Sequence, residues 1–393
     1  MLVYNVSILI VIWIDGTYLK ISVHKSLTLT AIYRKLNLKK ISLEVNHMTN
    51  IRINSHGGHS VIDNHTVPYA SLKPEDFGKN WLYAKQCPQC PAREWCYSVS
   101  QPKDKAEKLA SLRLIYECYI ATFQKMGIKP MLLCHAPFSA AFEDFLSRRY
   151  GRSFRECHVQ MPREDFPIFL EAATKTRSSG HLVGVEFDYL PPRFQDLEPF
   201  LPWVANCYPK ILRILSVHFL EIEGEILRLG RQDGELERTL AVYNRVGSEI
   251  FWSHVWEATL SVLSTGIDVL GHPFAWQKHL DECPDTPTLR KKITRVAQTM
   301  ADKNILADLN ASGLKKGKHR DNPYFPAKWI PVFKEAGVSF TAGDDSHNQS
   351  QIGRGYDELF GFCRANDVNV LYEATGQRDN DDHMIWKTHN LEG

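Results

Sequence analysis

The sequence predicts an α/β protein in which parallel strands close into a barrel. Short runs of β-branched and other apolar residues alternate with amphipathic stretches, a pattern typical of strands joined by crossover helices. Seven or eight such units occur, more than most open doubly wound sheets contain, so a barrel is favoured. The 393 residues, 44% hydrophobic and 23% charged, suffice for one barrel with insertions and exclude a disordered or coiled-coil chain.

The predicted elements alternate from residue 51 onward. The strands are Ile51–Ser55, Lys129–Cys134, Leu182–Phe187, Ile211–Val217, Asp268–Gly271, Ile305–Leu309, Val338–Ala342 and a weaker Val368–Tyr372. The helices between them include Lys105–Met126, Glu164–Thr176, Glu235–Val246, Thr288–Asp302 and Ala327–Ala336. No G-x-G-x-x-G or G-x-x-x-x-G-K-[ST] segment opens a helix, which argues against the common nucleotide-binding folds.

Two alternatives stay open for residues 1–47. They form an N-terminal extension outside the core fold, or they contribute a buried strand. Leu2–Ile14 is nearly all apolar, but its run of about 13 residues is shorter than the roughly 20 that cross a bilayer. No basic segment precedes it and no small-residue cleavage site follows it, so we expect neither a membrane span nor a signal peptide. We assign the barrel to residues 48–375 and a polar C-terminal tail to residues 376–393.

Charge and cysteine content restrict the partners and the compartment. Lys plus Arg total 47 against 45 for Asp plus Glu, a net charge of +2, so we expect no nucleic-acid partner. Nine irregularly spaced cysteines fit a reducing compartment, and we expect a cytoplasmic protein. The oligomeric state stays open.

Residues of metal-ligand type follow nearly every predicted strand. These strand-end residues are His56 and His59, His135, Glu186 and Asp188, His218, His272, Asn310, and Asp345 and His347. The carboxyl ends of parallel barrel strands meet on one rim, where active sites lie. Imidazole and carboxylate donors together suit Zn, Mn or Fe ions that polarise a phosphate or a carbonyl. The pattern therefore predicts a metallohydrolase.

Five short motifs stand in order at these strand ends. They are Gly-Val-Glu-Phe-Asp-Tyr-Leu at 184–190, Ser-Val-His-Phe at 216–219, Asp-Val-Leu-Gly-His at 268–272, Leu-Asn-Ala-Ser-Gly-Leu-Lys at 309–315 and Gly-Asp-Asp-Ser-His at 343–347. Together they resemble the histidinol-phosphatase branch of the PHP (polymerase and histidinol phosphatase) family, over about residues 51–60 and 129–358. The resemblance implies a distorted (β/α)7 barrel with two or three divalent ions (Zn, Mn or Fe). It also implies a small phosphorylated substrate, foremost L-histidinol phosphate, in histidine biosynthesis.

The resemblance also implies roles for individual residues. The implied metal ligands are His56, His59, His65, His135, Glu186, His218, His272, Asp345 and His347. Glu186 would bridge ions, and we assign catalysis to Glu186, His218 and Asp345. Lys315, in a basic run after Asn310, and Arg354, seven residues beyond His347, are the candidates for phosphate binding.

Three features depart from the family pattern. Two residues instead of one separate His56 from His59, and Cys134 stands where a carboxylate or small polar residue is usual. A cysteine-bearing insertion at about residues 66–104 could hold most of a Zn or iron–sulfur site, since Cys87, Cys90 and Cys96 stand close together. No fourth ligand is evident, so a surface excursion with reduced thiols is favoured there. Two alternatives to a histidinol phosphatase stay open: a PHP phosphoesterase for another small phosphate or nucleotide, and a metal-depleted non-catalytic protein.

Overall fold

The protein is described by a computed structural model. It covers residues 8–14, 17–23, 53–54, isolated positions between 104 and 124, and then 126–150, 163, 166–176, 180–194, 200–230, 234–315, 321–347 and 351–391. Backbone contacts divide the chain into two compact units, residues 1–48 and 49–393. In the first unit, β1 (Ile8–Ile14) pairs with β2 (Thr17–Val23) in an antiparallel hairpin.

Six parallel strands form the central sheet of the second unit. They are β3 (Met131–His135), β4 (Leu182–Asp188), β5 (Leu212–Ser216), β8 (Val269–Leu270), β9 (Leu306–Asn310) and β10 (Phe340–Gly343). Their spatial order is β10-β9-β8-β5-β4-β3, and the sheet curls into part of a barrel. The predicted strands between residues 129 and 342 are therefore confirmed. Of the predicted strand Ile51–Ser55, only Ile53 and Asn54 are described, and both are buried.

Helices accompany the sheet along the chain. They are α1 (Ala140–Tyr150), α2 (Phe166–Lys175), α3 (Phe200–Cys207), α4 (Glu235–Val246), α5 (Ser248–Val262), α6 (Pro287–Asp302), α7 (Ile330–Glu335) and α8 (Tyr356–Ala365). Helix α6 shows why the prediction succeeded: the Thr286 hydroxyl accepts from the Leu289 N–H, and Pro287 occupies the first turn. None of the helices in the described part of the chain is long and apolar enough to cross a membrane.

Two further elements flank the sheet between β5 and β8. The antiparallel hairpin β6 (Phe219–Ile222) and β7 (Glu225–Arg228) begins directly after His218. Helix α5 lies farther along the chain, and its aromatic residues Phe251 and Trp256 are buried in the main hydrophobic core.

The side chains on the inner face of the sheet differ in polarity between the amino ends and the carboxyl ends of the strands. Its amino-terminal part is an apolar cluster formed by Met131, Leu133, Leu182, Leu212, Ile214, Val269 and Leu306. Side chains alternate between the two faces of a strand, so Glu186 and Asp188 share the inner face with Leu182. The intervening Val183, Val185 and Phe187 join the helices in the larger core. The inner face is therefore apolar at one end and polar at the other.

The C-terminal segment corrects the predicted tail. Residues expected to form a polar tail from 376 onward instead belong to a hairpin of β11 (Val370–Arg378) and β12 (Met384–Asn390). Ala374 and Met384 lie in the apolar inner cluster of the sheet. The Arg378 guanidinium binds the Asp268 carboxylate through contacts of 2.8 and 2.6 Å. One cation of this polar segment is therefore buried in an ion pair at the amino-terminal end of the sheet, while most of its other polar side chains are exposed.

Candidate metal centre

Strand register brings the first site residues together at the carboxyl end of the sheet. His135, the last residue of β3, is the register partner of Glu186 in β4, and Asp188 is the partner of Ser216 in β5. His218 follows β5 after one further residue, and it lies beside the same inner face. Parallel pairing therefore places donors from three neighbouring strands at one edge.

Glu186, His218 and His272 form the centre of this arrangement. One potential ligand atom from each lies within 4.8 Å of the others. Glu186 is 1% exposed, and its Oε1 lies 3.4 Å from His272 Nε2 and 3.9 Å from His218 Nε2. Two imidazoles and a carboxylate are the donor set of many Zn sites, so these residues fit a divalent transition-metal ion.

The two carboxylate oxygens of Glu186 face different histidines. Oε1 faces His218 and His272 and accepts a 2.5 Å hydrogen bond from the Ser216 hydroxyl. Oε2 lies 3.4 Å from His135 Nδ1. One carboxylate can therefore contribute an oxygen to each of two adjacent positions.

A buried carboxylate supports His218 from the far side of its ring. Asp188 Oδ1 lies 2.6 Å from His218 Nδ1. Burial opposes the charged form of His218, but the charge and hydrogen bond of Asp188 outweigh it and raise the pKa of His218.

A second pair of candidate site residues, Asp345 and His347, follows β10. Asp345 Oδ1 lies 3.3 Å from His347 Nε2, and the Ser312 hydroxyl donates to Asp345 Oδ2 at 3.3 Å. Tyr324 lies near the first cluster as well, since its ring centroid is 6.3 Å from that of His272. Burial and the charge of Asp345 raise the pKa of the Tyr324 hydroxyl, which therefore stays protonated.

Three residues of the site have a strained backbone conformation. His272, Tyr324 and Asp345 have φ angles of 25°, 49° and 46°, in the left-handed region that side chains other than glycine rarely adopt. The Asp308 carboxylate accepts from the His272 N–H at 3.2 Å and from the Asn310 amide at 2.9 Å. The first bond restrains the backbone of His272, and the second orients the Asp308 carboxylate that accepts it.

Burial also affects the carboxyl group next to Asp345. It raises the pKa of Asp344 to about 6, although the N–H groups of Gly353 and Ser346 donate to this carboxylate. The bonds link the segment after β10 to the turn before α8.

The structure brings together some of the predicted site residues and leaves others outside its description. His135, Glu186, His218 and His272 form one cluster, and Asp345 and His347 form the neighbouring pair. Residues His56, His59 and His65 lie outside the described residues, as do Cys87, Cys90 and Cys96.

The predicted phosphate-binding residues lie on adjoining segments. Lys315 forms an ion pair with Glu358 of α8, and Arg354 is exposed two residues before α8 begins. A Cβ atom placed on Gly355 would lie 3.5 Å from Lys315 Cε, so the two segments pack closely. Their phosphate-binding role stays a prediction.

Sequence inspection missed several supporting residues. Asp188 was noted only as a strand-end residue, yet its position two residues after Glu186 places both on one face. Ser216 could have been found the same way, because it lies two residues before His218. Asp308 also follows from this rule, because it lies two residues before Asn310 in β9. Tyr324 carries no local signal, since only the fold brings it to His272.

The fold and the site together define an α/β protein with a candidate metal centre at the carboxyl ends of its strands. The chain is also similar to known proteins. No family model matches the chain. Two curated relatives from strains of Aliivibrio fischeri, both named probable phosphatases, are 28% identical over 146 residues, or 37% of this chain. The match spans 54% of the length of those relatives.

Two of the solved structures similar to this chain are named as histidinol phosphatases. A candidate histidinol phosphatase from Listeria monocytogenes has a TM-score of 0.48 at 20% identity, over 61% of this chain and 91% of the other. A histidinol phosphate phosphatase from Lactococcus lactis, complexed with zinc, L-histidinol and phosphate, has a TM-score of 0.45 at 14% identity, over 68% and 91%.

Proposed function

We propose that this protein is a metal-dependent phosphate monoester hydrolase of the PHP type, with L-histidinol phosphate as its substrate. The observation that carries the proposal is the buried cluster of Glu186, His218 and His272 at the carboxyl end of parallel strands. The similarity of two probable phosphatases supports the reaction type. The substrate rests on the resemblance of the motifs, and the barrel is proposed to be the distorted (β/α)7 form.

The protein's residues would divide the work of hydrolysis between them. His218, His272 and one Glu186 oxygen would hold one ion, and the other Glu186 oxygen with His135 would hold part of a second. Such ions supply Lewis acidity, which activates a water nucleophile and offsets the charge of phosphate oxygens. Zn, Mn and Fe all suit these donors, and we propose two or three ions in all.

Other residues would bind the phosphate and move a proton. Lys315 and Arg354 are cations on adjoining segments near the rim, where they could neutralise phosphate oxygens. Asp345 accepts a hydrogen bond from Ser312 and lies beside His347, so it could hold a proton for the leaving oxygen. Ser216 would orient the Glu186 carboxylate toward the histidines through the hydrogen bond that it donates to Oε1.

The test combines metal content with phosphate release on one sample. Protein purified without chelator should contain two or three transition-metal ions per chain and release phosphate from L-histidinol phosphate. Glu186→Gln keeps the shape of the side chain but removes its charge, so it should lose metal and at least about 100-fold in activity. The matched control is Glu257→Gln, an exposed residue paired with Lys292 on the helices, which should behave as the parent.

The outcomes separate the proposal from its alternatives. Metal with release from other phosphate monoesters or nucleotides, but not from L-histidinol phosphate, would overturn the substrate and keep the reaction type. Metal without release from any ester would overturn the hydrolase assignment. Less than one ion per chain after addition of Mn or Zn would support the metal-depleted alternative.

A further inference from the structure

We propose that Asp188 is a positioning residue that sets the ring tautomer of His218 and thereby presents the His218 Nε2 lone pair to the metal. This inference rests on the proposed metal centre, but not on the identity of the substrate. Asp188 belongs to neither the predicted ligands nor the predicted phosphate-binding residues.

The geometry places a donor and an acceptor on opposite sides of one imidazole. Asp188 Oδ1 lies 2.6 Å from Nδ1, while Nε2, across the ring, faces Glu186 Oε1 at 3.9 Å. A carboxylate can only accept a hydrogen bond, so Nδ1 must carry a proton. In the neutral ring, Nε2 then carries the lone pair that a metal ion requires.

The surroundings of Asp188 make this contact strong. The carboxylate is 4% exposed and borders a cavity of about 10 Å³ whose lining includes Phe138, Phe187 and Leu190. Burial away from water strengthens a charge-assisted hydrogen bond and raises the cost of losing it. Asp188 Oδ2 lies 3.9 Å from His135 Nδ1, so the same carboxylate stands between two histidines of the cluster.

An amide at this position would remove the constraint with almost no change in shape. Asparagine can accept from Nδ1–H or donate to a bare Nδ1, so it allows the tautomer that carries its proton on Nε2. In that tautomer Nε2 cannot bind a metal ion until it loses the proton. Loss of a residue that orients a metal-binding histidine typically lowers metal affinity 10–100-fold.

The test is zinc affinity measured on metal-free full-length protein by competition with a chelating dye. Asp188→Asn should bind zinc 10–100-fold more weakly than the parent while reaching the same number of ions at saturation. The matched control is Asp268→Asn, a buried aspartate at the opposite end of the sheet, which should keep the parent's zinc affinity. Equal affinity in the parent and Asp188→Asn would overturn the inference.

A second measurement reports on the ring itself. The ring is observed with ¹⁵N-labelled histidine in metal-free protein, at a pH high enough for His218 to be neutral, and its signal is assigned from its loss in His218→Ala. The parent should then show the proton on Nδ1, whereas Asp188→Asn should show Nε2–H. A neutral ring with its proton on Nε2 in the parent would overturn the inference. Loss of a whole equivalent of zinc at saturation would also overturn it, since Asp188 would then be a ligand. A parent that binds no zinc, Mn or Fe would instead overturn the proposed metal centre.

Discussion

Replacing Arg378 by methionine should destabilise the protein strongly, although the residue lies in a segment whose sequence looks like a polar tail. The guanidinium is buried and donates to both oxygens of Asp268, at 2.8 and 2.6 Å. It also donates to the carbonyl oxygens of Ile211, at 2.8 Å, and Asp382, at 2.7 Å. Methionine retains much of the stem's volume but leaves the Asp268 carboxylate without its principal partner.

The magnitude follows from the burial of both partners. Removing one side of a buried ion pair leaves an uncompensated charge and costs about 3–5 kcal/mol. Arg245 provides the contrast, because it pairs with Glu223 and Glu225 while about half exposed. Arg245→Met should therefore cost less than about 1 kcal/mol.

Urea unfolding followed by tryptophan fluorescence and circular dichroism measures both variants against the parent. The double variant Arg378→Met/Asp268→Asn should recover part of the loss, because neither charge then stays buried alone. Zinc affinity should be unchanged in Arg378→Met at low urea, since the pair lies at the opposite end of the strands from Glu186. An Arg378→Met loss no larger than that of Arg245→Met would refute the reasoning.

Three further changes have definite expected outcomes. Gly313→Ala would place a methyl group onto the backbone nitrogen of Tyr324, which cannot yield as a side chain can, so it should lower both the melting temperature and zinc affinity; an unchanged melting temperature would contradict this close contact. Truncation after residue 375 removes β12 and uncovers the apolar inner cluster, so the product should be insoluble or bind a hydrophobic dye, and a stable truncated protein would restore the tail hypothesis. Burial raises the pKa of the Cys283 thiol to about 12, so at pH 8 a thiol reagent should modify exposed Cys207 but not Cys283 until the chain unfolds, as mapped by peptide mass spectrometry.

Local pattern predicted the strands that carry the site. In β4 an apolar run ends in two carboxylates, and parallel topology alone implied that Glu186 would lie near the histidines that end neighbouring strands. The structure confirms this for His135, His218 and His272. The prediction worked because the periodicity of a strand and the residue at its end are both short-range properties of the chain.

Only the tertiary structure decided which charged residues form ion pairs with one another. Arg378 and Asp268 are 110 residues apart, so a local window shows an isolated cation in a polar stretch and gives no sign that this guanidinium is buried against the sheet. Tyr324 reaches His272 in the same way, from a loop that carries no ligand-type motif. Sequence by itself therefore determined which strands form and which side chains end them, whereas long-range packing determined which buried charges are paired, because desolvation and pairing depend on distance in space and not along the chain.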